Sequence, residues 1–90
     1  MFKTLEELIN VIRQRKGSSV EESYTKKLLD NKKLSIEKVK EEVAELIDAI
    51  EKNSNKVHEA ADVLYHLMVL LEANNIKIED VVDELKKRKK

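Results

Sequence analysis

Apolar residues recur at helical spacing along nearly the whole chain, and strand-type alternation is absent. Leu5, Leu8, Ile9 and Ile12 fall on one face of a first helix. Thr4 with Glu7 reads as a capping box at its start, and Gly17 as its stop after about Lys16. Residues 18–23 are polar and predict a loop, 24–29 a short helix, and 30–34 a second connection. Ser35 is placed to cap a long helix in which Ile36, Val39, Val43, Leu46, Ile47 and Ile50 form a stripe of the kind that is buried. The KNSN segment, 52–55, is a short polar turn. A second long helix follows from 56 to 73. Its residues 60–71, AADVLYHLMVLL, are apolar almost all round, the pattern of a buried helix. Asn74 and Asn75 break it, and a last helix over 78–88 turns Val81, Val82 and Leu85 inward. The expected fold is all-α: a small helical bundle, one domain over residues 1–90, around a central antiparallel helix hairpin.

Composition narrows the chemistry. The 90 residues include no cysteine, no proline and one glycine, so disulfides, thiolate metal sites and glycine-rich phosphate loops are excluded. Three aromatics (Phe2, Tyr24, Tyr65) make a thin core, and a chain this size buries only about two-thirds of its unfolded surface. Dimerisation is the expected way to finish covering its amphipathic helices. The opening MFKTLEEL lacks the apolar region of a signal peptide. The longest apolar run, 63–71, is far short of the ~20 residues that span a bilayer. A cytoplasmic protein with no membrane contact is expected.

Formal net charge is zero, but the charges are segregated. Residues 1–40 hold ten basic and six acidic side chains, 41–62 two and seven, and 63–85 one and five; the last five, Lys86 to Lys90, are all basic. On the first long helix Glu42 and Glu45 are neighbours just off the apolar stripe, with Glu41 and Asp48 beside them. Only Lys38 and Lys52 lie on the same side to offset their repulsion. On the next helix Glu59, Asp62 and His66 share a face. A carboxylate in so apolar a helix is costly unless paired or bound to a metal; the plain alternatives are a hydrogen bond to His66 or a buried salt bridge for Asp62, and a solvated acidic face for the glutamates of the first long helix.

The hairpin relates the two sets. Glu45 and Glu59 are each seven residues from Lys52, and Glu42 and Asp62 are each ten. Each pair is therefore level across the hairpin, and four carboxylates converge on a small volume. All-oxygen ligation of this kind suits hard cations, Mg²⁺ first and Mn²⁺ next. A di-iron site wants Glu-x-x-His on two helices, and neither His58 nor His66 has a carboxylate three residues before it. Zinc is disfavoured because no two histidines share a face at ligand spacing.

Glu41-Glu42-x-x-Glu45, followed by Glu59-x-x-Asp62, resembles the signature of the all-α MazG-like nucleotide pyrophosphohydrolases. Within that superfamily SYTKKLL (23–29), KVKEEVAE (38–45) and EAADVLYHLMVLL (59–71) resemble the phosphoribosyl-ATP pyrophosphatase family of histidine biosynthesis, and the likeness covers nearly the whole chain. The resemblance implies Mg²⁺-dependent hydrolysis of phosphoribosyl-ATP to phosphoribosyl-AMP and pyrophosphate by a homodimer. It implies Glu42, Glu45, Glu59 and Asp62 as metal ligands. Glu41 would assist in an outer shell, on a second metal or by orienting water, so Glu41 and Glu42 are the catalytic candidates. Lys27, Lys38, His66 and Arg88 are the candidate substrate contacts. The next enzyme of the histidine pathway is a further candidate partner. Lys40 stands where the family usually has glycine, which affects substrate fit rather than the ligand set.

Simpler readings stand beside these. His66 equally suits a helix-packing histidine, and His58 an exposed one. Ser23, Tyr24 and Thr25 suit a helix cap and a packed ring. The basic tail suits a solvated helix end, where cations favour the dipole; with no interleaved aromatic it does not predict nucleic-acid binding. Two other functions fit the same pattern: a house-cleaning (d)NTP pyrophosphatase with this metal site, and a non-catalytic helical dimerisation module.

Overall fold

The computed structural model of the chain describes residues 2–17 and 23–89. It is all-helical over those residues, with five helices: α1 (Lys3–Arg15), α2 (Tyr24–Asp30), α3 (Lys32–Lys52), α4 (Lys56–Ala73) and α5 (Ile78–Arg88). The expected loop over 18–22 and the terminal Lys90 lie outside the described residues.

The long helices form the predicted antiparallel hairpin, and asparagine makes its turn. Asn53 and Asn55 adopt left-handed backbone, φ 55° and 52°, a region that asparagine tolerates better than most residues. The Ser54 amide donates to Ala49 O at 3.0 Å, closing α3 in a Schellman-type motif. The end of α4 repeats the device, with Asn75 at φ 58° and the Ile76 amide donating to Leu71 O at 2.9 Å. Asn53→Val is expected to lower the free energy of unfolding by about 1–2 kcal/mol, the cost of a left-handed β-branched residue, while Asn53→Gly leaves it nearly unchanged. Urea titration of the two variants checks this.

Several helix starts differ from expectation. Helix α1 begins at Lys3, with Phe2 O accepting from the Leu5 and Glu6 amides, so Thr4 lies inside the first turn and forms no capping box. Gly17 has no left-handed backbone, and α1 ends at Arg15. The expected connection over 30–34 shrinks to Asn31, which serves both neighbours. Its amide donates to Leu28 O at 3.3 Å, and its Oδ1 accepts from the Leu34 amide at 3.0 Å as the cap of α3. Ser35 is therefore buried within α3 rather than capping it. Ser23 does cap α2, its Oγ accepting from the Lys26 amide at 3.2 Å.

The core gathers Ile12 of α1, Leu28 and Leu29 of α2, and Val69 and Ala73 of α4, with Leu8, Leu34, Tyr65 and Met68 packed against it. The apolar stripe predicted for α3 is not buried as a unit. Val39 and Leu46 are half-buried, whereas Ile36, Val43, Ile47 and Ile50 are exposed. Apolar residues occupy two sides of α3, and the hairpin covers one of them. In the same way α4 is buried along His66, Val69 and Ala73 but exposes Val57, Leu64 and Leu67.

Helix α5 buries no residue fully: of the three residues expected to face inward Val81 is half-buried, whereas Val82 and Leu85 are exposed. Its first turn is anchored instead by charge. Arg13 reaches Glu79 at 2.7 Å and Glu72 at 3.4 Å, and Lys16 reaches Glu72 at 2.7 Å. The bond from Arg13 pulls the Glu79 pKa down to about 2. Burial alone would raise that of Glu72, but Lys16 and Arg13 outweigh it and the net shift is downward. None of the described helices is long and apolar enough to cross a membrane.

Candidate metal and active site

Glu41, Glu42 and Glu45 project from the middle of α3, and Glu59 and Asp62 from the first turns of α4. The hairpin brings the two sets together, as the sequence spacing predicts. Glu45 and Asp62 both act on Glu42 and on Glu59, so the acidic groups of the two helices lie within electrostatic reach of one another. Ligand atoms of Glu41, Glu42 and Glu45 come within 4.8 Å of one another, and so do those of His58, Glu59 and Asp62.

The acids sit unfavourably close together. Glu42 Oε2 and Glu59 Oε2 are both buried without a hydrogen-bond partner. Burial raises the pKa of Glu42, and Glu45 adds to it; His66 counteracts and Asp62 adds a further increment. Glu59 is raised by its desolvation first and then by Glu45, with His58 opposing. Unpaired buried carboxylate oxygens are expensive, and a hard cation satisfies both the charge and the empty lone pairs. The donor set fits Mg²⁺ or Mn²⁺.

The other candidates divide. Lys38 is brought to the cluster, its Nζ 3.5 Å from Glu41 Oε2. Lys27 is exposed on α2, one turn beyond Ser23. Arg88 pairs with Glu84 of its own helix at 3.3 Å rather than with the cluster. His66 is buried, with Nδ1 2.9 Å from Asp62 O and Nε2 3.3 Å from the Tyr24 hydroxyl. Both ring nitrogens are engaged within the protein, as a packed histidine's would be. The Asp62 carboxylate meets His58 instead, at 3.4 Å. The four-residue spacing of His58 and Asp62 allowed that pairing to be foreseen, although His58 remains as exposed as expected. An open groove of about 480 Å³ between α1 and α5, lined by Ile9, Arg13, Ile78, Glu79 and Val82 among others, shares no residue with the cluster.

Comparison with known proteins gives this geometry its context. The family model described as phosphoribosyl-ATP pyrophosphohydrolase matches residues 5–89. The chain is 42% identical to the phosphoribosyl-ATP pyrophosphatase of Methanococcoides burtonii, over 98% of this chain and 94% of that protein. It is 46% identical to the phosphoribosyl-ATP pyrophosphatase of Clostridium acetobutylicum, over 93% of this chain and 79% of that one. The histidine biosynthesis bifunctional protein HisIE of Pyrococcus furiosus is 44% identical over 96% of this chain, which spans 41% of that longer protein. With a family model matched over nearly its full length and relatives this similar, the chain belongs to the phosphoribosyl-ATP pyrophosphohydrolase family.

Proposed function

We propose that the protein hydrolyses phosphoribosyl-ATP between its α and β phosphates, releasing pyrophosphate and phosphoribosyl-AMP, as a cytoplasmic homodimer of histidine biosynthesis that uses Mg²⁺. The observation that carries the chemistry is the group of four carboxylates with two buried, partnerless oxygens. The substrate follows from family membership and the names of the relatives.

Glu42, Glu45, Glu59 and Asp62 would hold the metal. Bound there, Mg²⁺ neutralises charge on phosphate oxygens and lowers the pKa of a bound water. Glu41, exposed beside Glu42, would assist in an outer shell, on a second metal or by orienting the attacking water. Lys38, beside Glu41, supplies positive charge where a phosphate chain approaches. Lys27, exposed on α2, and Arg88, paired with Glu84, would add further positive charge for the phosphates.

Pyrophosphate release from phosphoribosyl-ATP, measured against a panel of dNTPs with and without Mg²⁺, tests the reading. Preference for phosphoribosyl-ATP and loss of turnover in chelator are expected. Equal or better turnover of a dNTP assigns the protein to the house-cleaning class. No turnover of either leaves the non-catalytic dimerisation module.

The homodimer rests on the uncovered apolar side of the hairpin: Ile36, Val43, Ile47 and Ile50 on α3, and Leu64 and Leu67 on α4. Apolar stripes on two adjacent helices form a patch of the kind that marks an association surface. Ile47→Glu is expected to shift the protein from dimer to monomer in sedimentation velocity. A wild-type protein that sediments as a monomer at tens of micromolar rules the dimer out.

A further inference from the structure

Of the three aromatic rings, Tyr65 packs against the core and Phe2 precedes the first turn of α1. Tyr24, which opens α2, is half exposed, yet it is held in place one side chain away from the acidic cluster. Its hydroxyl lies 3.3 Å from Nε2 of His66, and Nδ1 of that imidazole lies 2.9 Å from the backbone oxygen of Asp62. A hydroxyl both donates and accepts, so the tie to His66 holds whichever nitrogen carries the hydrogen. The two rings also meet edge-on, with centroids 6.1 Å apart and planes at 75°. His66 meets Tyr65 in the same way at 4.9 Å, and Tyr65 is bonded in turn to the Thr25 hydroxyl.

Ordering a free side chain on a ligand costs entropy. The hydroxyl bond and the edge contact have already ordered Tyr24, so its exposed part is a preformed apolar surface. Its surroundings are those of the cluster, since Lys38, Glu42 and Glu41 all act on it electrostatically. A nucleotide whose phosphates sit at the acids runs outward from them through a sugar to a flat base. A ring one side chain beyond Asp62 suits that base; phosphates gain nothing from an apolar surface. Every base has a π-face, and stacking on an aromatic ring needs no match of donors to acceptors. We propose that the Tyr24 ring is the platform on which the base of the bound nucleotide stacks. The inference rests on the reading of this protein as a nucleotide pyrophosphohydrolase.

A ring series at this position tests it, on whichever nucleotide the wild-type protein turns over. Tyr24→Leu keeps an apolar side chain without a π-face, and should raise KM about fivefold or more, the lower end of what base stacking contributes. Tyr24→Phe and Tyr24→Trp keep a ring and should stay within about threefold of wild type. Inhibition separates the parts of the ligand. The constant for AMP should rise in Tyr24→Leu with KM, whereas those for ribose 5-phosphate and inorganic pyrophosphate, which have no base, should not change. Binding is also read without turnover, because the chain has two tyrosines and no tryptophan. AMP should quench the tyrosine fluorescence of the wild type and leave that of Tyr24→Leu, which retains Tyr65, unchanged. A protein that turns over no nucleotide fails the reading beneath this inference. One that turns over a nucleotide with equal KM in wild type and Tyr24→Leu fails the inference alone. The stacking contact is also overturned if AMP does not quench the wild type, if ribose 5-phosphate inhibition weakens in parallel with AMP, or if Tyr24→Phe is as impaired as Tyr24→Leu.

Discussion

Glu42→Gln is expected to lower pyrophosphate release by about a hundred- to a thousandfold and, at the same time, to make the metal-free protein more stable. Both effects come from one carboxylate. Its charge is what a cation at the cluster requires, and losing one preorganised charged group at the reacting centre typically costs that much rate. Without the cation, the same charge is a liability. Glu42 Oε2 is buried with no partner, and burial together with Glu45 and Asp62 disfavours its ionised form. A glutamine amide is neutral and donates toward Glu45, so repulsion becomes attraction. A site that weakens the fold in order to act is the usual stability–activity exchange. Turnover and the urea midpoint, both measured on Glu42→Gln, check the two halves; a variant that is inactive and also less stable without metal contradicts the account. Asp62→Asn extends it, because Asp62 acts on Glu42 within the same acidic group. If Mg²⁺ titrations of wild type, Glu42→Gln and Asp62→Asn give indistinguishable affinities, the four carboxylates do not form the metal site.

The pairing of those carboxylates was legible in the sequence because it depends on two local facts. The turn falls where polar asparagines permit left-handed backbone, and the hairpin then brings the acids of α3 and α4 within electrostatic reach of one another. Helix starts were less legible, since Thr4 and Ser35 have capping chemistry but Phe2 and Asn31 hold the positions. Asn31 ends one helix and caps the next, and such sharing is invisible when each helix is read alone. Periodicity marked α3 as amphipathic but not which apolar side meets α4, and its exposed side bears on association rather than on the core. The Tyr24–His66 bond joins residues 42 positions apart, so no spacing rule reaches it. Only the docking of α2 on α4 turns a ring that reads as packing into one held beside the acids.

Without divalent cation, stability is expected to rise as pH falls from 7 toward 5, the reverse of ordinary acid sensitivity. Glu42 and Glu59 have folded-state pKa values above the ordinary carboxylate value of 4.5. Between 4.5 and those raised values the folded protein binds more protons than the unfolded chain. Acidification through that window therefore favours folding, and the gain is complete once both states are protonated. Below 4.5 the sign changes, because Glu79, held down to about 2 by Arg13, and Glu72 contribute stability only while ionised. Metal-free thermal stability should thus be greatest near the ordinary carboxylate value of 4.5 and fall on both sides. On the proposed metal site, saturating Mg²⁺ should remove the neutral-pH deficit, since it would bind the ionised carboxylates of the folded state and not the unfolded chain. At a hundredfold excess over Kd that linkage is worth about 2.7 kcal/mol. Thermal melts from pH 3 to 8, with and without Mg²⁺, separate the contributions. The cluster predicts that Mg²⁺ stabilises more at pH 7 than below the ordinary carboxylate value of 4.5; equal stabilisation at both would place the bound ion away from Glu42 and Glu59.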